Sequence, residues 1–123
     1  MGMNYEEFER AVERIKDKLA RAAQKVYDDW IQIDGHDDYY GAGGICDDVA
    51  VEMGYLVQDE LDVDAYSEHI QSDSHTVVMV DLDEGRAMVD IPPRNYETGF
   101  GYRWTKIPGV RFHADMVVVD WFD

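Results

Sequence analysis

The chain contains 123 residues, of which 46% are hydrophobic, and its 27 acidic and 11 basic residues give a formal net charge of −16. This length and hydrophobic content predict a single folded domain over residues 1–123 and exclude a disordered chain. The negative surface repels phosphate backbones and anionic lipids, so we expect no direct nucleic-acid binding and no membrane binding. No apolar run reaches the roughly 20 residues of a membrane span, and the acidic, polar segment 1–10 does not resemble a signal peptide.

The strong acidity has three explanations. It suits a salt-rich cytoplasm, it promotes solubility, or it steers a basic protein partner towards the surface. The acidic residues are scattered along the chain and form no tail, which favours salt adaptation or solubility. The one cysteine, Cys46, cannot form an internal disulfide, so we expect a reducing compartment and a cytoplasmic protein. Nothing in the sequence indicates an oligomeric state.

Two helices are predicted in the first half of the chain. Apolar residues recur at steps of three and four from Asn4 to Trp30, which is the pattern of a helix with one buried face. The segment from Gln32 to Gly44 breaks this pattern and is predicted to be a loop. A second helix is predicted from Ile45 or Cys46 to Leu61. Its predicted buried face consists of Val49, Ala50, Met53, Leu56, Val57 and Leu61.

The second half of the chain is predicted to form antiparallel strands. One strand is predicted from Val63 to Ile70, and a buried, β-branched one from His75 to Leu82. Asp83-Glu84-Gly85 is predicted to be a turn, with a return strand from Arg86 to Ile91 that completes a hairpin.

The last third of the chain is rich in turn residues. Asn95 to Tyr102 is predicted to be a loop, Arg103 to Ile107 a short strand, and Met116 to Phe122 a last strand. Together these elements predict an α+β fold in which two helices pack on an antiparallel sheet of four to five strands.

Cys46 has neighbours that suit a reactive thiol. Gly43 and Gly44 precede it, and the second helix begins beside it. The unpaired N–H groups and positive dipole end of a helix favour a thiolate at such a position. The glycines also permit close approach of a substrate to the backbone. The alternative is a buried, inert cysteine behind an ordinary turn, because free cysteines are often buried.

The hairpin brings a base and a carboxylate into register. With Asp83-Glu84 as the turn, Asp90 faces Val77, and His75 lies two residues away on the same face of the sheet. Such diagonal neighbours lie about 7 Å apart, within reach of each other's side chains. A slip of one residue would place the two on opposite faces. The alternative is a structural histidine and an edge aspartate.

These motifs resemble the transglutaminase-like branch of the papain-like cysteine proteins. The resemblance lies in the segment Gly-Gly-Ile-Cys-Asp-Asp-Val-Ala around Cys46, in His75 on a strand, and in Asp90 within Val-Asp-Ile-Pro. It implies a papain-like or transglutaminase-like core in which Cys46 is the nucleophile, His75 the general base and acid, and Asp90 the orienting carboxylate. It covers roughly Gly43 to Pro92.

The resemblance has departures around the oxyanion site. The tryptophan that often follows the cysteine in transglutaminases is replaced by Asp47, and the nearest upstream glutamine is Gln32. We predict that the Cys46 N–H and the side chain of Tyr40 or Gln32 bind the oxyanion, beside Gly44. A rim of aromatic side chains is also predicted for the cleft, with a small satellite core as its alternative. These residues are Tyr96, Phe100, Tyr102 and Trp104.

The sequence therefore predicts a thiol-dependent acyl-transfer enzyme without a cofactor. It would hydrolyse or deamidate a protein or peptide amide, or transfer the acyl group to an amine. One alternative is an inactive acidic module of the same fold that binds a basic protein or mimics nucleic acid. Another is a metal site of Cys46, His75 and Asp90 with His36 or His113, but no pair has ligand spacing, so no metal is expected.

Overall fold

The computed structural model describes residues 3–32, 45–70, 75–100 and 103–122, without the side chains of residues 99, 100, 103 and 104. Helix α1 spans Tyr5–Ile31, close to the prediction. The side chain of Asn4 accepts a hydrogen bond from the Glu7 N–H, and the Glu7 carboxylate accepts one from the Asn4 N–H. This capping box satisfies two N–H groups that a helix start leaves without partners, and so sets where α1 begins.

Helix α2 spans Cys46–Leu61 and so begins at the cysteine, as predicted. Its first turn carries Asp47 and Asp48, whose charges interact favourably with the positive end of the helix dipole. It ends at Asp62, which adopts the left-handed conformation with φ of 53°. None of the described helices is long and apolar enough to span a membrane.

The strands form two separate sheets. A four-stranded antiparallel sheet has the order β1-β2-β3-β6, and a two-stranded antiparallel sheet consists of β4 and β5. The predicted α+β fold with two helices on an antiparallel sheet is therefore confirmed, with four strands in that sheet. The strands are β1 Ala65–Ile70, β2 His75–Leu82, β3 Gly85–Asp90, β4 Glu97–Phe100, β5 Arg103–Lys106 and β6 Val118–Trp121.

The β2–β3 hairpin has the predicted register. Leu82 pairs with Gly85 across the turn, and Val78 pairs with Val89 further along. Gly85 has a φ of 152°, a conformation that favours glycine. β3 is an interior strand, because β2 pairs with one side of it and β6 with the other. Asp90, which pairs with Val118 of β6, is therefore not an edge residue.

One prediction for the C-terminal third is wrong, and one gives a strand that is too long. Glu97–Phe100 was predicted to be part of a loop, but it is strand β4, paired with β5 from Glu97–Lys106 to Phe100–Arg103. Glycine and polar residues make this segment a weak strand former, so the pairing with β5 decides its conformation. The last strand is shorter than predicted, since Ala114–Met116 forms a turn of 3-10 helix before β6.

The main core lies between the helices and one face of the four-stranded sheet. Side chains at alternate strand positions, such as Val78, Val80 and Val89, meet the apolar faces of α1 and α2 and are fully buried. Each such side chain stabilises the fold by roughly 1.5–3 kcal/mol relative to exposure. His75 occupies the other alternation of β2, at the end of the sheet where β2 begins.

Candidate active site

The β2–β3 hairpin brings His75 and Asp90 into direct contact. Nε2 of His75 lies 2.9 Å from both Oδ1 and Oδ2 of Asp90. The two side chains are only 12% and 9% exposed. A carboxylate only accepts hydrogen bonds, so Nε2 carries a proton and donates a hydrogen bond to Asp90. This contact orients the imidazole and leaves Nδ1 as the ring nitrogen available to a third group.

That third group is Cys46, the first residue of α2, which is buried with 6% exposure. Burial lowers the pKa of His75, but the hydrogen bonds and charges of Asp90 and Cys46 outweigh it and raise this pKa to about 9. His75 is therefore an imidazolium at neutral pH. A cationic imidazole beside a thiol is the arrangement that favours a thiolate.

Two observations describe the contact between Cys46 and His75. Cys46 acts on His75 through a hydrogen bond and through charge. Nδ1 of His75 is buried and has no hydrogen-bond partner of standard geometry among the described residues. Catalytic hydrogen bonds are often long in substrate-free sites and tighten when substrate binds.

A second hydrogen-bonded chain holds the start of α2 against the start of β2. The hydroxyl of Thr76, which is only 4% exposed, donates to the carboxylate of Asp47. Its one proton is thereby used, so it accepts a hydrogen bond from Nδ1–H of His69 at 3.1 Å. Asp47 follows Cys46 and Thr76 follows His75, so this chain joins the two elements that carry the thiol and the imidazole.

Neither Asp47 nor Thr76 was predicted to have this role. Asp47 was interpreted as a departure from the transglutaminase pattern, and Thr76 as part of an apolar strand. One signal was present in the sequence. A hydroxyl in an otherwise apolar strand needs a hydrogen-bond partner, because burying it without one is costly.

Tyr96 is part of the buried core and not of an exposed rim, which corrects its predicted position. It has 0% exposure, and its ring centroid lies 5.7 Å from that of Phe112. Its hydroxyl is buried and makes no hydrogen bond to any residue that the structure describes. Burial raises the pKa of Tyr96, and the charges of Glu97, Cys46 and Asp90 raise it further. Tyr96 is therefore within electrostatic reach of the cysteine and the aspartate.

The other aromatic rim residues have no described side chains. Phe100 lies in β4, and Trp104 lies in β5 opposite Gly99. Tyr102 lies outside the described residues. Of the four predicted rim residues, only Tyr96 has a described side chain, and that side chain is buried.

Of the predicted oxyanion residues, the structure describes only Gln32, and it does not join this group. Gln32 is exposed at the end of α1, where its N–H donates to the Trp30 carbonyl, so its side chain does not belong to the buried group around Cys46. Tyr40 and Gly44 lie outside the described residues.

Of the two further histidines in the metal alternative, the structure describes only His113. His36 lies outside the described residues, and His113 is exposed before a turn of 3-10 helix. Within the described ranges, no group of three or more histidine, cysteine or acidic side chains has the arrangement of a metal site.

Comparison of the chain with protein-family models, with curated proteins and with solved structures found no match in any of the three. The resemblance to transglutaminase-like proteins therefore stays a prediction. A function for this protein has to be inferred from the geometry of the site.

Proposed function

We propose that this protein is a thiol-dependent acyl-transfer enzyme with a papain-like or transglutaminase-like core. Cys46 is the nucleophile, His75 the general base and acid, and Asp90 the orienting carboxylate. One observation carries the proposal. Nε2 of His75 lies 2.9 Å from both carboxylate oxygens of Asp90 on the neighbouring strand, and the same imidazole interacts with the thiol at the start of α2 through a hydrogen bond and charge.

A thioester mechanism needs a nucleophile, a general base and acid, and a group that orients the base. Cys46, His75 and Asp90 are residues of these types. The Cys46 sulfur attacks the carbonyl carbon of an amide, and the carbonyl oxygen becomes an oxyanion. The carbon–nitrogen bond then breaks, while Nδ1–H of His75 protonates the leaving amine. Water or a second amine attacks the thioester, gives a proton to Nδ1, and releases the acyl product and the thiolate.

The proposed substrate is a protein or peptide amide, with hydrolysis, deamidation and transfer to an amine as the possible outcomes. The pKa of about 9 for His75 supports this chemistry because the imidazolium is charged at neutral pH and ready to protonate a leaving amine. The mechanism requires a reduced thiol, so a cytoplasmic location belongs to the same proposal.

The alternative, an inactive acidic module that binds a basic partner, predicts that carboxylates gather on one face. The exposed carboxylates of the described residues lie on α1, on α2 and just after it, on β2 and in the turn that follows it, and on β6 and just before it. They are thus spread over several elements, and we give the enzyme priority.

Two reactions of the thiol test the proposal. Iodoacetamide alkylates the thiolate directly, and p-nitrophenyl acetate acetylates it through a tetrahedral intermediate. We expect wild-type protein to react with both near pH 6, where a free thiol of pKa about 8.5 reacts slowly. Mass spectrometry should locate one acetyl group on Cys46.

The variants define what each result means. Cys46→Ser should abolish both reactions, and His75→Ala should slow both. His113→Ala, which removes an exposed histidine, is the matched control and should react like wild type. Equally slow alkylation of the wild-type and His75→Ala proteins would mean that Cys46 is an inert core cysteine.

A further inference from the structure

Two core tyrosines differ in what their hydroxyl groups do. The Tyr27 hydroxyl donates to the Ile107 carbonyl and accepts from the Val110 N–H, as expected for a buried hydroxyl. The Tyr96 hydroxyl is buried to the same degree but makes no hydrogen bond to any described residue. A buried donor without a partner is costly in a folded protein. Tyr96 belongs to the same buried cluster as Ile45, which precedes the nucleophile Cys46, so the missing partner is one that arrives with the substrate.

Tyr96 is held rigidly by its surroundings. Its N–H donates to the Pro93 carbonyl, and its carbonyl accepts from the Ile107 N–H. Its ring packs against Phe112. The phenol therefore cannot turn towards solvent without disrupting the core. A donor fixed in advance, at a site without water, is what stabilises developing charge most strongly.

The neighbours of Tyr96 keep its hydroxyl protonated. Burial raises its pKa, and the negative charges of Glu97, Cys46 and Asp90 act in the same direction. The hydroxyl is thus a donor throughout the working pH range of a thiol enzyme. The same charges show that it lies within electrostatic reach of the reacting sulfur.

We propose that the Tyr96 hydroxyl donates a hydrogen bond to the oxyanion that forms when the Cys46 sulfur attacks a carbonyl carbon. This inference rests on the proposed function. The first N–H groups of α2 provide the second donor, because the side chain of Ile45 makes no capping hydrogen bond to them. Tyr96 then takes the place predicted for Gln32 or Tyr40.

The test uses Tyr96→Phe, which removes only the hydroxyl, and Tyr27→Phe as the matched control. Acetylation of Cys46 by p-nitrophenyl acetate passes through an oxyanion, whereas alkylation by iodoacetamide does not. We expect Tyr96→Phe to slow acetylation by about 10²-fold, as for other single oxyanion donors, and to leave alkylation unchanged. Its melting temperature should be equal to or above that of wild type, because no protein hydrogen bond is lost.

Tyr27→Phe should do the opposite. It should lower the melting temperature, because the carbonyl of Ile107 loses its donor, and it should keep the wild-type acetylation rate. If Tyr96→Phe fails to fold by circular dichroism, Tyr96→Met removes the hydroxyl with another apolar side chain, and the same pair of rates applies to it.

The two rates separate failure of this inference from failure of the proposed function. Wild-type acetylation in a Tyr96 variant that alkylates normally would refute the oxyanion role and leave the enzyme proposal intact. Equal slowing of both reactions would also refute it, since Tyr96 would then act on the thiol itself. Slow alkylation and acetylation of the wild-type protein would refute the proposed function.

Discussion

The pH dependence of stability tests the contact between His75 and Asp90 without any substrate. The pKa of His75 is raised in the folded protein, so the folded protein binds the proton of His75 more tightly than the unfolded chain does. The contribution of this group to stability is fully present below about pH 6.5. It is lost as the pH rises through the folded pKa of about 9. Asp90→Asn removes the carboxylate that holds the proton, so it should flatten this dependence.

The size of the effect follows from the pKa. The pKa of His75 rises from 6.5 to about 9. Because each pKa unit corresponds to about 1.4 kcal/mol, the upper value of the pH-dependent contribution is about 3 kcal/mol. Cys46 supplies part of this rise, and the 12% exposure of the side chain weakens it slightly. The part that Asp90→Asn removes should therefore be about 2 kcal/mol.

Urea unfolding at a series of pH values measures this contribution. The difference in the free energy of unfolding between wild type and Asp90→Asn should be larger near pH 6 than near pH 10, by about 2 kcal/mol. Asp83→Asn, in the exposed turn between β2 and β3, controls for loss of a negative charge and should run parallel to wild type. A difference that stays constant with pH, or grows towards high pH, would refute the proton-holding role of Asp90.

Three further outcomes are expected. With p-nitrophenyl acetate, Asp90→Asn should slow turnover by up to about 10⁴-fold. The double variant with His75→Ala should be little slower than His75→Ala alone, because the effects of groups that act as a unit are not additive. If the two losses in rate multiply, His75 and Asp90 do not act as a unit. Thr76→Val should slow acetylation and lower the free energy of unfolding by about 1–2 kcal/mol, whereas Thr76→Ser should keep the wild-type rate and stability. An unchanged acetylation rate in Thr76→Val would mean that the Asp47 contact does not position the thiol. If the charge of −16 is an adaptation to salt, the melting temperature should rise from low to molar salt, because salt screens the repulsion between the carboxylates. A melting temperature that does not change with salt would favour the basic-partner explanation.

The features that the sequence predicted well are those set by local spacing. The apolar period placed α1 and α2 within one or two residues of their observed bounds. The two-residue turn at Asp83-Glu84 fixed the register of the hairpin, and with it the meeting of His75 and Asp90. Side-chain alternation along a strand has a period of two, so one correct turn determines every pair that follows.

Tertiary contacts decided the rest of the site. β4 is a strand because β5 pairs with it, Tyr96 is buried because Phe112 and the core cover it, and Asp47 holds α2 against β2 because Thr76 lies opposite. β4 and β5 are neighbours along the chain, whereas Phe112 is distant from Tyr96 and Thr76 is distant from Asp47. Neither composition nor periodicity encodes any of these three contacts. The sequence by itself thus determined the elements and the His75–Asp90 register. Only the tertiary structure determined how the start of α2 is held against β2 and which core hydroxyl is buried without a described partner, because these features depend on packing.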